Sequence, residues 1–147
     1  QLLRKLKSEL YSDKPLSELL GLWRDFYIRE AEGVDWELLE FVEKLKSKYR
    51  VFLLTDTIDT HDEYNKNRGI YDRFTAVFRS HQEGFSKIND DAFINILKKI
   101  EAKAEDCIFI DDLEAYVERA RALGMKVILF RNKDKLKQEL YRLGITT

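Results

Sequence analysis

Apolar residues recur every three or four positions in the first third of the chain, which is the spacing of a helix with one buried face. The pattern runs over residues 1–10, 15–31 and 36–49. We expect Trp23 and Trp36 to pack these helices against a core rather than to bind a substrate. No strand pattern interrupts the first 32 residues, so this segment is predicted to be an appended helical piece.

The pattern changes after residue 50, where short apolar runs alternate with helical segments. The four runs are residues 51–54, 76–78, 107–110 and 127–130, and the helical segments are 58–68, 89–100, 113–123 and 133–143. Runs of this length without polar alternation are typical of strands buried on both faces of a parallel sheet. Residues 33–147 are therefore predicted to form a three-layer, Rossmann-like α/β domain with a mostly parallel sheet between two layers of helices.

Composition narrows the function classes. The chain has 147 residues, a length that fits one domain, and its 26 Lys and Arg against 27 Asp and Glu give a net charge of −1. That balance excludes the basic footprint of a nucleic-acid binder. A single cysteine argues against a disulfide framework or a cysteine-based zinc site, and favours a cytoplasmic protein. No apolar run approaches the ~20 residues of a membrane span.

The sequence begins with Gln1 rather than Met. We therefore expect either that the native start has been removed or that the chain is a piece of a longer protein.

Polar residues follow three of the four predicted strands. Thr55 and Asp56 follow the first, Lys87 follows the second after a short loop, and Asp111 and Asp112 follow the third. Ligands bind beyond the carboxyl ends of the strands in sheets of this class. A hydroxyl and an ammonium at that edge suit a phosphate, and paired carboxylates suit Mg²⁺.

Each of these residues also has an ordinary structural explanation. Thr55 would serve as a turn residue, Lys87 as a solvated surface lysine, and Asp112 as the cap of a helix that begins at Leu113. Their common location at one predicted sheet edge favours the functional interpretation.

The order of these groups resembles the haloacid dehalogenase-like (HAD) hydrolase superfamily. The most specific part is the strand and acid pair at 108–112 followed by Ala-Arg-Ala-Leu-Gly-Met at 120–125. Residues 53–55 resemble the second motif of the family, and residues 80–87 resemble its third. The resemblance covers residues 15–147, and it implies a HAD-like core at 33–147 with the end of a helical cap before it.

The resemblance implies a Mg²⁺-dependent phosphatase that acts on a small phosphorylated metabolite. In this family an Asp on the first strand attacks phosphorus, and an Asp two residues later serves as general acid and base. By resemblance, Thr55 and Asp56 lie on the substrate side and Lys87 positions both the nucleophile and the phosphoryl group. Asp111 and Asp112 would hold Mg²⁺.

The sequence departs from the family pattern at three points. No Asp-x-Asp follows an apolar strand upstream of the cap-like helices, so the nucleophile is absent and the chain alone is expected to be inactive. Asp56 stands where the family commonly has Asn, and Ile88 stands where Pro is usual. Both changes put phosphate affinity in question.

The missing strand would lie at the centre of the sheet. Each unpaired buried backbone group costs about 1–3 kcal/mol, so we expect that a lone chain does not keep the sheet order with this slot empty. Three outcomes are expected: a second copy or a complementing chain fills the slot, the neighbouring strands close up, or the chain is a fragment of a longer hydrolase.

Two other functions fit parts of the pattern. A non-catalytic binding or scaffold protein would retain the fold without the nucleophile. A response-regulator receiver also places acids, a Thr and a Lys around Mg²⁺, but in that class the acids come first. Here Thr55 precedes Lys87, which precedes the acids, so the order disfavours a receiver.

Overall fold

The computed structural model describes residues 13–30 and 33–147, and the helical pattern expected at residues 1–10 lies outside them. The elements in chain order are α1 (Leu16–Glu30), α2 (Trp36–Lys46), β1 (Phe52–Thr55), α3 (Asp59–Asn67), β2 (Ala76–Arg79), α4 (Ser80–Glu83), α5 (Asp90–Lys99), β3 (Ile108–Asp111), α6 (Glu114–Ala122), β4 (Lys126–Leu129) and α7 (Lys133–Arg142). Short 3₁₀ turns precede β2 at Tyr71–Arg73 and β3 at Ala104–Asp106. None of the described helices is both long enough and apolar enough to cross a membrane.

The strands form two parallel pairs. β1 runs beside β2 from Phe52 opposite Ala76 to Thr55 opposite Arg79. β3 runs beside β4 in the same way, with Asp111 opposite Leu129 at the end. The α/β class with parallel strands is confirmed.

The described strands do not form one continuous sheet. Within 13–30 and 33–147, no ladder of hydrogen bonds joins the β1–β2 pair to the β3–β4 pair. The neighbouring strands therefore have not closed up. A single chain holds the two pairs in place without a described strand between them, contrary to our expectation.

The strands are also less buried than their apolar sequences predicted. Every residue of β1 and β2 is only partly buried, and Ile110 in the middle of β3 is 37% exposed. A strand without a paired neighbour on one side leaves part of its surface uncovered, which explains the difference. Ile128 of β4 is the exception, at 6% exposed.

Helices connect the two strand pairs through apolar contacts. Phe93 of α5 is 1% exposed, and its ring meets Phe109 of β3 edge to face at 5.0 Å between centroids. Because α5 follows β2 in the chain and packs on β3, it ties one pair to the other.

A second apolar cluster has the same effect. Leu45 of α2 is buried together with Ile128 of β4 and with Leu136 and Leu140 of α7. Because α2 leads directly into β1, this cluster fixes the start of the first strand pair against the second. Side-chain packing therefore connects the two strand pairs where backbone hydrogen bonds between them are absent from the described residues.

The predicted helix ends were partly wrong. α2 ends at Lys46, three residues before the predicted end, and the four-residue α4 was not predicted. The predicted stops at Gly124 and Gly144 are confirmed, since both glycines adopt positive φ angles of 92° and 78° just after their helices.

We expect Phe93→Ala to lower the free energy of unfolding by about 3–5 kcal/mol, because it empties a fully enclosed site that joins the strand pairs. Tyr141→Ala is the matched control, since Tyr141 is 73% exposed, and it should change stability by less than about 0.5 kcal/mol. Urea unfolding followed by circular dichroism measures both values. Equal effects of the two substitutions would show that α5 does not carry this contact.

Candidate active site

The loop after β1 is fixed to the start of α4. The Thr57 amide donates to Ser80 Oγ at 3.1 Å, and Ser80 Oγ lies 3.2 Å from the Thr57 carbonyl oxygen, to which it donates in turn. Both residues are partly buried. The Ser80 hydroxyl thus satisfies both backbone polar groups of Thr57. These two bonds hold the loop that carries Thr55 and Asp56 at the carboxyl end of the strand.

Lys87 lies in the loop between α4 and α5 and contacts both strand pairs. Its backbone amide donates to Asp56 Oδ1 at 3.3 Å. Its Nζ donates to Asp111 Oδ2 at 2.7 Å, and the two side chains are only 13% and 7% exposed. The ammonium also lies 5.0 Å from the centre of the Tyr116 ring, within the range of a cation–π contact. The alternative of a solvated surface lysine is therefore wrong.

The acid pair divides into one engaged and one exposed carboxylate. Asp111 uses one oxygen for Lys87 and accepts the Leu113 amide with the other at 3.0 Å. Asp112 is exposed, and the residue at the cap position of α6 is Leu113, so the alternative that Asp112 caps this helix is wrong.

The structure therefore brings Asp56, Lys87 and Asp111 together at one edge, with Thr55 next to Asp56 at the end of β1. Among the described residues, no hydrogen bond joins the Thr55 hydroxyl to the Lys87–Asp111 pair. Nor do the described ranges contain a group of three or more His, Cys, Asp or Glu side chains placed to hold a metal ion.

A second charged cluster beside this edge was not predicted. Arg79, at the end of β2, donates from Nε to Asp62 Oδ1 at 2.6 Å, and both side chains are largely buried. His81 Nε2 lies 3.2 Å from Asp59 Oδ1. Burial, reinforced by the negative charge of Asp62, raises the pKa of Tyr71 to about 12. The sequence signal would have been a charged residue ending an apolar strand.

Aromatic stacking attaches α1 to α3, the helix that follows the β1 loop. The His61 ring is stacked on Tyr27 with centroids 3.5 Å apart and on Trp23 at 6.0 Å. Asn65 Nδ2 donates to the Tyr27 hydroxyl at 2.9 Å. Trp23 thus packs the helical piece on the rest of the chain, as predicted, whereas the same prediction for Trp36 is wrong, since Trp36 is 43% exposed. Burial lowers the pKa of His61.

Comparison with known proteins places the chain in a family. The family model described as haloacid dehalogenase-like hydrolase matches residues 1–124. The chain therefore belongs to the haloacid dehalogenase-like hydrolases, and the resemblance found from the sequence is confirmed.

Solved structures share the fold. A HAD family enzyme of Bacteroides thetaiotaomicron, solved as a magnesium complex, superposes with a TM-score of 0.77 and 22% identity, over 95% of this chain and 71% of that chain. A protein described as a predicted HAD-like family hydrolase from Porphyromonas gingivalis gives 0.70 and 27%, over 79% of this chain and 60% of that one.

One curated relative matches a shorter segment. A drimenol cyclase of Aspergillus calidoustus is 37% identical over 67 residues, which is 46% of this chain and 13% of that protein. The chain thus spans a small part of this relative and less than three quarters of the two structures.

We expect Lys87→Met and Asp111→Asn each to lower the free energy of unfolding by about 3–5 kcal/mol, because each leaves a buried charged or polar partner unpaired. The double variant should lose less than the sum, since it leaves neither group alone. Urea unfolding of the wild type and the three variants gives the coupling energy.

The control for these Lys87 and Asp111 variants is Lys103→Met. Lys103 and Glu105 form an exposed pair at 3.7 Å, with side chains 79% and 74% accessible, and its loss should cost less than about 1 kcal/mol. A Lys87 effect no larger than this control would contradict the buried bridge.

His61 should make the fold acid-sensitive. Its pKa is lowered in the folded state by burial, so the unfolded chain binds more protons as the pH falls below about 6.5. The stabilisation is complete above that pH and is lost as the pH falls toward the folded pKa. In His61→Phe, the drop in unfolding free energy between about pH 7.5 and about pH 5.5 should be smaller than in the wild type.

The His61 resonance itself gives an independent check. The chain has only two histidines, so ¹H NMR titration of both rings, assigned with His81→Asn, reports each pKa directly. A His61 titration at the value of a free histidine would contradict the burial argument.

Proposed function

We propose that this chain is part of a Mg²⁺-dependent phosphohydrolase that acts on a small phosphorylated metabolite. The observation that carries the proposal is the Lys87–Asp111 contact, a nearly buried ion pair at the carboxyl edge beside Thr55 and Asp112. The assignment to haloacid dehalogenase-like hydrolases supports the hydrolase class.

The substrate phosphate would bind at the end of β1. The Thr55 hydroxyl would donate to one phosphoryl oxygen, and the Lys87 ammonium would lie beside the phosphate and offset part of its charge. Because Lys87 is held at both its amide and its Nζ, it needs little reorganisation when the substrate arrives. Fixed donors aimed at developing charge are usually the largest contribution to catalysis of this kind.

The acid pair suits Mg²⁺ in its chemistry. This cation typically takes one or two protein carboxylates and completes its shell with water and substrate phosphate. Asp112, which is exposed, and Asp111 would be those ligands. When bound, the cation would neutralise negative charge on the phosphoryl group. The magnesium complexes of the Bacteroides thetaiotaomicron enzyme agree with this choice.

The nucleophile would come from outside these 147 residues. No Asp-x-Asp follows an apolar strand before the cap-like helices, and the described strands leave the β1 and β3 pairs unjoined. A further strand between them, from a longer form of the chain or from a complementing chain, would supply both the missing ladder and the missing carboxylate.

The assay uses p-nitrophenyl phosphate with Mg²⁺. The longest natural form of the protein should hydrolyse it, the 147-residue chain should not, and EDTA should abolish the activity. Asp112→Asn in the active form should reduce kcat/KM by about 100-fold or more, because one of two protein ligands loses its charge.

Asp106→Asn is the control, because Asp106 is also exposed but lies in the 3₁₀ turn before β3, at the opposite end of that strand. It should leave the rate unchanged. Turnover by the 147-residue chain would refute the external nucleophile. Full activity of Asp112→Asn would remove the acid pair from the metal site.

A further inference from the structure

At the carboxyl edge, Lys87 makes a polar connection between the two strand pairs. Asp56 follows β1 and Ser80 begins α4, both at the carboxyl end of the β1–β2 pair, and Asp111 ends β3 in the other pair. Lys87 reaches both, with its amide on Asp56 and its Nζ on Asp111. The position of the Lys87 side chain therefore depends on where its backbone is held.

Ser80 fixes the loop after β1, which carries Asp56. Its hydroxyl lies 23 residues away in sequence from Thr57 and bonds to both the amide and the carbonyl of that residue. These two bonds join the loop after β1 to the start of α4. Loss of the hydroxyl leaves two partly buried backbone groups of Thr57 without a partner.

Asp56 extends the arrangement by one contact. It directly precedes Thr57, and its Oδ1 accepts the Lys87 amide at 3.3 Å. An asparagine side chain also carries an Oδ1 acceptor, so acceptance of this bond does not need the negative charge.

The loop before Lys87 is held in other ways as well. Gly84 ends α4 with a φ of 75°, and its amide bonds to the Ser80 carbonyl at 3.0 Å. Ser86 Oγ accepts the Ile88 amide at 3.3 Å. A proline at position 88 would have no amide hydrogen for this bond. The Ser86–Ile88 hydrogen bond therefore restrains the backbone at the position where a proline ring is usual in the family.

We propose that Ser80 and Asp56 are positioning residues that set the place of Lys87 through backbone contacts, and that Asp56 acts by accepting the Lys87 amide rather than by binding substrate. The inference rests on the proposed function, because it concerns the lysine assigned to the phosphoryl group.

The test is amide hydrogen exchange of the 147-residue chain by NMR, with the ¹⁵Nζ resonance of Lys87 as a second readout. Ser80→Ala should speed exchange of the Thr57 and Lys87 amides by ~10-fold, the size expected when one neutral hydrogen bond is lost. It should also shift the Lys87 ¹⁵Nζ signal toward that of an exposed lysine. Ser80→Thr keeps the hydroxyl and should restore both readouts.

Asp56 gives a test that does not depend on Ser80 variants folding well, since its side chain is exposed. Asp56→Ala should speed exchange of the Lys87 amide, whereas Asp56→Asn should leave it close to the wild type. If Asp56→Ala leaves exchange of the Lys87 amide unchanged, the positioning role of Asp56 is refuted.

Ser47→Ala is the matched control. Its hydroxyl also bonds to a backbone carbonyl, that of Lys44 at 2.7 Å, but at the exposed end of α2. It should leave both Lys87 readouts unchanged. An equal effect of Ser47→Ala and Ser80→Ala would refute the inference as a general loss of stability.

The outcomes also separate this inference from the proposed function. Faster exchange at Lys87 in the absence of phosphatase activity in the longer protein would refute the phosphohydrolase alone. Phosphatase activity with unchanged Lys87 readouts in Asp56→Ala and Ser80→Ala would refute the positioning role alone.

Discussion

The Lys87–Asp111 ion pair is the constraint on which the geometry of this molecule depends. Two parallel strand pairs lie side by side without a described ladder between them, so the usual backbone hydrogen bonds do not set their relative position. At the carboxyl edge that task falls to one lysine, whose side chain is only 13% exposed and whose partner is 7% exposed. A pair this buried is stabilising only if its geometry and its remaining hydrogen bonds are good. Asp111 meets that condition, because its second oxygen accepts the Leu113 amide.

Apolar packing supplies a further part of the connection, beside the exposed contacts of Glu37 with Lys133 and Lys137 and of Arg50 with the Ile100 carbonyl. Phe93 joins the helix after β2 to β3, and Leu45 joins the helix before β1 to β4 and α7. Packing of this kind holds position but does not direct a charged group within tenths of an ångström. Hydrogen bonds do so, and here they are concentrated in the loops that carry Thr55, Asp56 and Lys87. The body of the domain is thus held by side-chain burial, and its edge by polar contacts.

The class of fold was predictable from the sequence because each strand is a short apolar run and each following segment has helical spacing. The family was predictable because the acid pair at 111–112 and the helix after it share a specific order. The resemblance placed a missing strand at the centre of the sheet, but it did not predict that a lone chain keeps the two strand pairs apart. A local pattern reports which segments are strands and not how strands without a ladder are held. The Arg79–Asp62 contact and the Ser80–Thr57 contact were missed for a similar reason. They join residues 17 and 23 positions apart, and neither residue type marks such a contact by itself.

The charge of the proposed site limits how it can work. Asp56 and Asp111 both contact Lys87, and Asp112 directly follows Asp111, so three carboxylates share this edge with the Lys87 ammonium. A phosphate ester brings further negative charge, and Coulomb repulsion at these separations is substantial even at the higher effective dielectric of a protein surface. Lys87 is already matched to Asp111, so it cannot offset both the carboxylates and the phosphate. A divalent cation beside Asp112 would change that balance, and the exposure of Asp112 leaves room for one. For the phosphohydrolase proposed above, the negative excess argues that affinity for the substrate phosphate would depend on a bound cation.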